Sequence, residues 1–172
     1  MINKILNINE LISRISFFKK RKKKIVLCHG VFDLLHIGHI NHFEQAKSFG
    51  DILVVSITAD NFVNKGPGRP TFNQNERSRA ISFISCVDYV FINNESAATN
   101  LISFIKPNVY CKGPDYKNNS KDITKEIFNE KNAVQKIGGK IHYTSGETYS
   151  SSSIINSTDN AFSANQKKSL QI

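Results

Sequence analysis

The sequence contains few cysteines, which argues against a fold held together by disulfide bonds. Three cysteines occur in 172 residues, at positions 28, 86 and 111. They are too few and too scattered for a disulfide framework or a CxxC metal site. We therefore expect reduced thiols without a catalytic role.

Long hydrophobic runs are also missing. No apolar run approaches the roughly 20 residues needed to span a bilayer, and the N-terminal segment lacks the apolar stretch of a secretory signal. Hydrophobic residues make up 40% and charged residues 22% of the chain, a globular composition. We expect one domain, a cytoplasmic location and no membrane partner.

Acidic residues are scarce beside basic ones, with 14 against 23 and a net charge of +9. The run 19–24 carries six of these positive charges, which leaves only +3 for the remainder. Such a run serves as a solvated linker, a nucleic-acid arm or a patch for an anionic membrane. We interpret it as a linker that also attracts anionic substrates. A non-catalytic nucleotide- or RNA-binding module remains the alternative function of another class.

The stretch 25–49 carries the main functional signal. Its first three residues are apolar and predict a buried strand, and after Gly30 a helical spacing follows at Ile40, Phe43, Ala46 and Phe49. A strand, a glycine turn and a helix would place free helix N–H groups at the carboxyl edge of a sheet, where anionic ligands bind.

Two histidines occupy this junction. His36 and His39 are three residues apart, so they project from one face of the first helical turn. Gly38, between them, allows close approach of a phosphate to the backbone. This arrangement suits nucleotidyl transfer, in which the protein aligns the reactants and stabilises developing charge. A metal site with His29, Asp33 and His42 is the alternative, but helical zinc sites favour i, i+4 spacing, and we interpret His42 as a surface or packing residue.

The order of predicted elements defines the fold class. Strands predicted at 24–28, 52–58, 87–92, 108–112 and 140–143 alternate with helices, which is typical of a Rossmann-like α/β fold with a doubly wound, mainly parallel five-stranded sheet and helices on both faces. Residues 1–24 contain a helix after Asn9, expected at the sheet edge, and the basic run. Residues 25–156 form the predicted domain, and 157–172 a polar tail or linker.

Two cationic loops and a serine cluster follow predicted strands. The segment 64–70 combines two glycines, two prolines and two cations, and 112–116 is a similar loop at another strand end. Arg77 lies in a helix that Asn73 and Glu76 are predicted to cap. Ser150 to Ser153 precede an Ile-Ile pair and predict a helix start suited to phosphate oxygens.

The residues from Gly30 to His39 resemble the HxGH signature of the cytidylyltransferase-like nucleotidyltransferases, and the resemblance covers roughly residues 9 to 156. Within that family the segment 65–70, Arg77, the segment 112–116 and the serine cluster are similar to the heptose 1-phosphate adenylyltransferase module, which is often fused to a sugar kinase. The resemblance implies that ATP or CTP is coupled to a sugar phosphate such as heptose 1-phosphate, with release of pyrophosphate.

The resemblance also implies roles for individual residues and partners. The catalytic set is His36, His39 and Lys65. The nucleotide-binding set is Gly30, Val31, Phe32, His36, Gly38, His39, Ser150, Ser151 and Ser152. The substrate-binding set is Asp33, Lys65, Arg69, Arg77, Lys112 and Asp115. Mg²⁺ is expected with the triphosphate, a homodimer is a family expectation, and a fused or partner sugar kinase is a further one.

A polyol phosphate such as glycerol 3-phosphate is the alternative acceptor. Glycerol-3-phosphate cytidylyltransferases carry an Arg-Thr-Glu-Gly-Ile-Ser-Thr segment, and the corresponding residues 145–151 here lack the arginine. This departure weakens the alternative and leaves the base, adenine or cytosine, open.

Overall fold

The computed structural model describes residues 3–116 and 126–146. Within them the chain forms five strands and five helices. The strands are β1 (Ile25–Gly30), β2 (Ile52–Thr58), β3 (Tyr89–Asn93), β4 (Val109–Lys112) and β5 (Lys140–Tyr143). The helices are α1 (Ile8–Lys20), α2 (Ile37–Ser48), α3 (Gln74–Ser82), α4 (Thr99–Ile105) and α5 (Glu126–Lys136). Short 3₁₀ turns cover Asp60–Phe62 and Pro114–Tyr116.

The five strands form one parallel sheet in the order β3-β2-β1-β4-β5. The chain moves outward from β1 through β2 to β3, then returns to the other side of β1 for β4 and β5. This reversal confirms the predicted doubly wound fold, and it creates a switch point between β1 and β4, where such sheets bind ligands.

Helices cover both faces of the sheet, and each face has its own apolar cluster. On one face α2 and α3 bury Phe43 and Ile81 against strand residues that include Val26 and Val55. On the other face the buried positions of α1, α4 and α5 pack against Ile25, Leu27, Val54 and Tyr110. Successive strand residues point to opposite faces, so His29 is directed toward the side of α4 and α5.

The N-terminal helix is part of this core. Leu11 and Ile15 are buried in the cluster beneath α1 and α4, and Ile5 bridges Val90 of the edge strand β3. The preceding residues therefore extend the sheet edge, whereas α1, which was expected at that edge, packs on a sheet face. The domain boundaries after residues 24 and 156 stay a prediction.

The basic run forms specific contacts at its two ends. Lys19 Nζ donates to the carbonyl of Lys106 at 2.5 Å. Lys23 Nζ pairs with Asp51 Oδ1 at 3.0 Å, and the amide of Lys24 donates to Asp51 Oδ2 at 2.8 Å. These contacts tie the run to the end of α4 and to the residue before β2, which suits the interpretation of the run as a linker. Among the described residues no helix has the length and apolar content to cross a membrane.

Candidate functional site

Among residues 3–116 and 126–146, no side chain caps the N-terminus of α2. Its N-cap residue, His36, is extended (φ −143°, ψ 170°), and neither a capping side chain nor an acidic residue is present in the first turn. By contrast, α1 and α3 have complete capping boxes, Asn7 with Glu10 and Asn73 with Glu76. The free N–H groups and the helix dipole at α2 therefore favour an anion.

The two signature histidines lie together at this helix end. The rings of His36 and His39 stack with centroids 3.8 Å apart and an interplanar angle of 23°. His39 also packs against the ring of Phe32, edge to face, with centroids 5.3 Å apart. The sequence spacing predicted this proximity. Within the described part of the chain the buried Nδ1 of His39 has no hydrogen-bond partner, which marks a position for a polar ligand atom.

Both histidines are neutral near pH 7. Burial, reinforced by the charge of Lys65, lowers the pKa of His36. Burial first, and then the neighbouring charges of His36, His42 and Lys65, lower the pKa of His39 to about 3. A neutral imidazole retains one N–H, so each ring can donate a hydrogen bond to a phosphate oxygen without carrying a charge. The ammonium of Lys65 is therefore close enough to both rings for its charge to lower their pKa values.

The turn before α2 is shaped by close packing. Phe32 adopts a left-handed conformation (φ 47°), which is unfavourable for a residue with a large side chain. A Cβ on Gly30 would lie 3.1 Å from Cζ of the Phe32 ring, so only glycine fits without displacing that ring. Gly30 and Val31 also line a cavity at the carboxyl edge of the sheet, and Gly38 lies in the first turn of α2.

Asp33 fixes the cationic loop rather than facing solvent. Its carboxylate is buried and accepts hydrogen bonds from Arg69 Nε at 2.6 Å and from the amides of Thr71 and Phe72 at 2.7 and 3.2 Å. Although burial alone raises the pKa of Asp33, these donors lower it below its usual value. Asp33 and Arg69 therefore bind each other in this structure, and the direct substrate contacts expected of them stay a prediction.

Arg77 also serves the framework. Its side chain is fully buried and donates to the carbonyls of Phe72, Val31 and Thr58 at 2.9, 2.6 and 2.9 Å, and to Asp60 Oδ1 at 2.6 Å. The family resemblance placed this arginine in the substrate-binding set. The structure instead gives its donors to backbone carbonyls at the ends of β1 and β2, and the substrate contact stays a prediction.

The cavity at the carboxyl edge of the sheet has a volume of about 560 Å³. His29 and Gly30 of β1, Thr58 of β2, Lys65 of the cationic loop and Lys112 of β4 contribute to its wall. It therefore lies over the switch point between β1 and β4, as the fold class requires. Lys65 and Lys112 were expected at this edge, and the structure brings both to the same cavity.

The far wall of the cavity contains residues that the sequence did not identify as functional. Glu130 of α5 forms an ion pair with Lys112, Oε2 to Nζ at 2.8 Å, and both side chains are buried. Thr58 and Ser96 also line this wall. The sequence feature that could have identified Glu130 is its position, because it shares a helix face with the apolar residues Ile127 and Val134. A charged residue on a buried face needs a partner.

His29 and His42 have structural partners of their own. His29 lies between Ser56 Oγ at 3.0 Å and the carbonyl of Ser96 at 3.3 Å, and His42 Nδ1 lies 2.9 Å from Thr144 Oγ1. His42 is thus a packing residue that joins α2 to the end of β5. Among the described residues no group of three or more His, Cys, Asp or Glu side chains is arranged to hold a metal ion.

Some expected site residues lie outside the description. Ser150, Ser151 and Ser152 fall beyond the described residues, and so does the side chain of Asp115. Their predicted contacts with nucleotide and substrate stay predictions.

The buried histidines make stability depend on pH. Burial is the main cause that lowers the pKa of His29 and His42 to about 4 and that of His39 to about 3 from 6.5. Because these rings take up protons more readily in the unfolded chain, their contribution to stability is complete above pH 6.5 and is lost as the pH falls toward 4. We expect urea denaturation to show a lower free energy of unfolding at pH 5 than at pH 7, because below pH 6.5 each such histidine contributes a slope that approaches about 1.4 kcal/mol per pH unit.

This pH window separates the histidines from the carboxylates. Asp33 and Glu130 have lowered pKa values, so their stabilising effect is lost only at more acidic pH. The variant His42→Gln, which keeps a polar group near Thr144, should show a shallower dependence between pH 7 and 5. A stability that does not fall over this range in the unmodified protein would contradict the neutral state of the three rings.

Comparisons with known proteins agree with this geometry. The cytidylyltransferase-like family model matches residues 27–157. The bifunctional protein HldE of Geobacter metallireducens is 39% identical over 140 residues, which cover 80% of this chain and 27% of the relative. HldE of Campylobacter concisus is 42% identical over 130 residues, covering 73% of this chain and 27% of the relative. The chain thus spans about a quarter of the length of these relatives.

Solved structures show the same fold. The lipopolysaccharide core biosynthesis protein of Thermoplasma volcanium has a TM-score of 0.61 and 28% identity, with 73% of this chain and 99% of that chain covered. The pantothenate synthetase of Thermus thermophilus has a TM-score of 0.60 at 14% identity, covering 97% of this chain and 70% of that chain. The latter likeness concerns the fold alone.

Proposed function

The chain belongs to the cytidylyltransferase-like family, and from this premise we propose that it transfers a nucleotidyl group from a nucleoside triphosphate to a sugar phosphate. The observation that carries the proposal is the stacked pair of neutral histidines at the N-terminus of α2, which no described side chain caps, beside a cavity at the switch point of the sheet. The histidine pair at the helix end suits the phosphates of the nucleoside triphosphate, and the cavity suits the acceptor.

The reaction follows from this placement. An oxygen of the acceptor phosphate attacks the α-phosphorus, a new P–O bond forms, and the bond to the β-phosphate oxygen breaks with release of pyrophosphate. Negative charge grows on the α-phosphate oxygens as the phosphorus becomes pentacoordinate. The N–H groups of His36 and His39 and the free amides of α2 donate to those oxygens, and Lys65 supplies a positive charge.

Mg²⁺ is proposed to accompany the nucleotide. The described residues offer no dedicated carboxylate site, and Asp33 already binds Arg69 and two amides. This fits an ion held mainly by the triphosphate and by water, as is common for Mg²⁺. When bound, it neutralises phosphate charge.

The finer assignments rest on similarity. We propose ATP or CTP as the donor and heptose 1-phosphate, or a related sugar phosphate, as the acceptor. Because the match covers only 27% of the HldE relatives, which are named bifunctional, we also propose a sugar kinase as a fused or separate partner. A homodimer and a cytoplasmic location complete the proposal.

A matrix of substrates tests this function. The purified chain is incubated with each of several nucleoside triphosphates and each of several phosphorylated acceptors, including heptose 1-phosphate, hexose 1-phosphates and glycerol 3-phosphate, and pyrophosphate release is measured. We expect turnover with one nucleotide and a sugar phosphate. Turnover with glycerol 3-phosphate alone would favour the polyol alternative, and release with none of the combinations would contradict the proposal.

A further inference from the structure

The ion pair between Lys112 and Glu130 is unusual for its burial. The two side chains are only 7% and 2% exposed, and Nζ and Oε2 are 2.8 Å apart. Removing two charges from water carries a desolvation penalty that often exceeds the attraction between them. Apolar residues of similar size would pack equally well at these positions. A buried ion pair in a cavity wall is therefore a candidate for a functional role.

The surrounding contacts hold the pair in place. The other carboxylate oxygen of Glu130 accepts a hydrogen bond from the amide of Ala98 at 2.9 Å, just before α4. The ammonium of Lys112 lies 5.3 Å from the centroid of the Tyr110 ring and 4.8 Å from that of Tyr116. The pair thus has a fixed position between β4 and α5, as recognition groups require.

His29 gives the adjoining wall a fixed pattern of donors and acceptors. A carbonyl oxygen only accepts, so Nε2 of the neutral ring donates to Ser96, and Nδ1 accepts from the hydroxyl of Ser56. Burial keeps this ring neutral, with its pKa lowered to about 4. The ring therefore adds no positive charge for a phosphate at this end of the cavity.

The charges divide the cavity into two parts. Lys65, whose charge acts on the neutral histidine pair, makes one part of the cavity positive, whereas Glu126 and Glu130 of α5 line another part. A carboxylate repels phosphate but accepts hydrogen bonds from hydroxyl groups, and an ammonium donates to hydroxyl or ring oxygens. The part beside α5 is consequently suited to a neutral, hydroxyl-bearing group.

We infer that the Lys112–Glu130 pair binds the hydroxyl groups of the acceptor, which orients the sugar so that its phosphate faces Lys65, His36 and His39. This inference rests on the proposed function and refines it, because it assigns Lys112 to the sugar and not to a phosphate. It also makes Glu130 a specificity-determining residue for polyhydroxylated acceptors over small ones.

The variant Glu130→Gln tests the inference. Glutamine keeps an oxygen for the amide of Ala98 but loses the charge. With the sugar phosphate that the unmodified protein uses, we expect KM for the acceptor to rise about tenfold or more, the usual loss for one hydrogen bond to a charged group, while KM for the nucleotide stays unchanged. Asp51→Asn, which removes the ion pair with Lys23 at the opposite end of the sheet, is the matched control and should leave both constants unchanged.

Deoxy acceptors identify the contact itself. In a series of monodeoxy hexose 1-phosphates, the acceptor that lacks the bound hydroxyl should bind the unmodified protein more weakly and lose little further affinity in Glu130→Gln, as measured by calorimetric titration of the acceptor alone. Lys112→Met provides a second variant, and thermal unfolding verifies that both variants fold.

The outcomes separate the two proposals. Turnover of a sugar phosphate with the same acceptor KM in Glu130→Gln and Lys112→Met as in the unmodified protein would overturn this inference and leave the proposed function standing. An equal rise in KM for nucleotide and acceptor would also overturn it. If the unmodified protein does not release pyrophosphate with any of the sugar phosphates tested, the proposed function itself is refuted.

Discussion

We expect that replacing His39 with alanine lowers kcat by about two to three orders of magnitude while the protein remains folded. The substitution removes one preorganised hydrogen-bond donor to the oxygens on which negative charge develops, and the loss of one such donor in other enzymes lowers kcat by about this factor. Alanine in place of His36 should have a similar effect, because the two rings stack 3.8 Å apart at the same helix end. Pyrophosphate release under saturating substrates measures it.

A histidine outside the site provides the control. His142 of β5 packs against Phe49, with ring centroids 4.5 Å apart, and it does not line the cavity at the carboxyl edge of the sheet. The variant His142→Ala should retain the kcat of the unmodified protein. If His36→Ala and His39→Ala both turn over at the unmodified rate, the catalytic assignment of the pair is wrong.

The fold was largely predictable because its signals are local. The run from Ile52 to Thr58 was predicted to be a central strand, and β2 has the same bounds, since a continuous β-branched stretch buried on both faces has few alternatives. The box formed by Asn73 and Glu76 was likewise predicted and is present. Such features involve residues a few positions apart, so their geometry is readable from the sequence.

A prediction that failed concerns a choice between neighbouring positions. Asn9 was expected to cap α1, but Asn7 does so, because Glu10 lies three residues after it and completes the box. Gly50, which follows the C-cap residue Phe49 of α2, has a role that depends on distant contacts. A Cβ at Gly50 would lie 2.7 Å from Cγ2 of Val26, so this glycine permits a close approach of two segments.

The site divides in the same way. The pairing of His36 with His39 depends on helical spacing and was predicted, as was the convergence of loops 64–70 and 112–116 at one edge. The partners of Asp33, Arg77 and Lys112 are tens of residues distant or lie on another element. No spacing rule pairs Lys112 with Glu130, so the sequence did not reveal the protein partners of these charged residues.

The variant Arg77→Met is expected to lower the free energy of unfolding by about 3–5 kcal/mol, the usual cost of removing one member of a buried, hydrogen-bonded ion pair. Methionine fills much of the same space but cannot donate, so the carbonyls of Val31, Thr58 and Phe72 lose their partner together with Asp60. The loss is a large fraction of the stability of an ordinary domain. Urea denaturation at pH 7 measures it.

Arg79 offers a matched control on the same helix, because it is exposed whereas Arg77 is buried. Arg79→Met should change the free energy of unfolding by less than about 0.5 kcal/mol, as is usual for surface substitutions. The comparison also distinguishes the two roles considered for Arg77. A residue that only binds substrate would leave stability unchanged on replacement and weaken substrate binding, whereas a residue that ties the ends of β1 and β2 to α3 lowers stability before any ligand is added. Equal stability of the two variants would therefore contradict the framework role of Arg77.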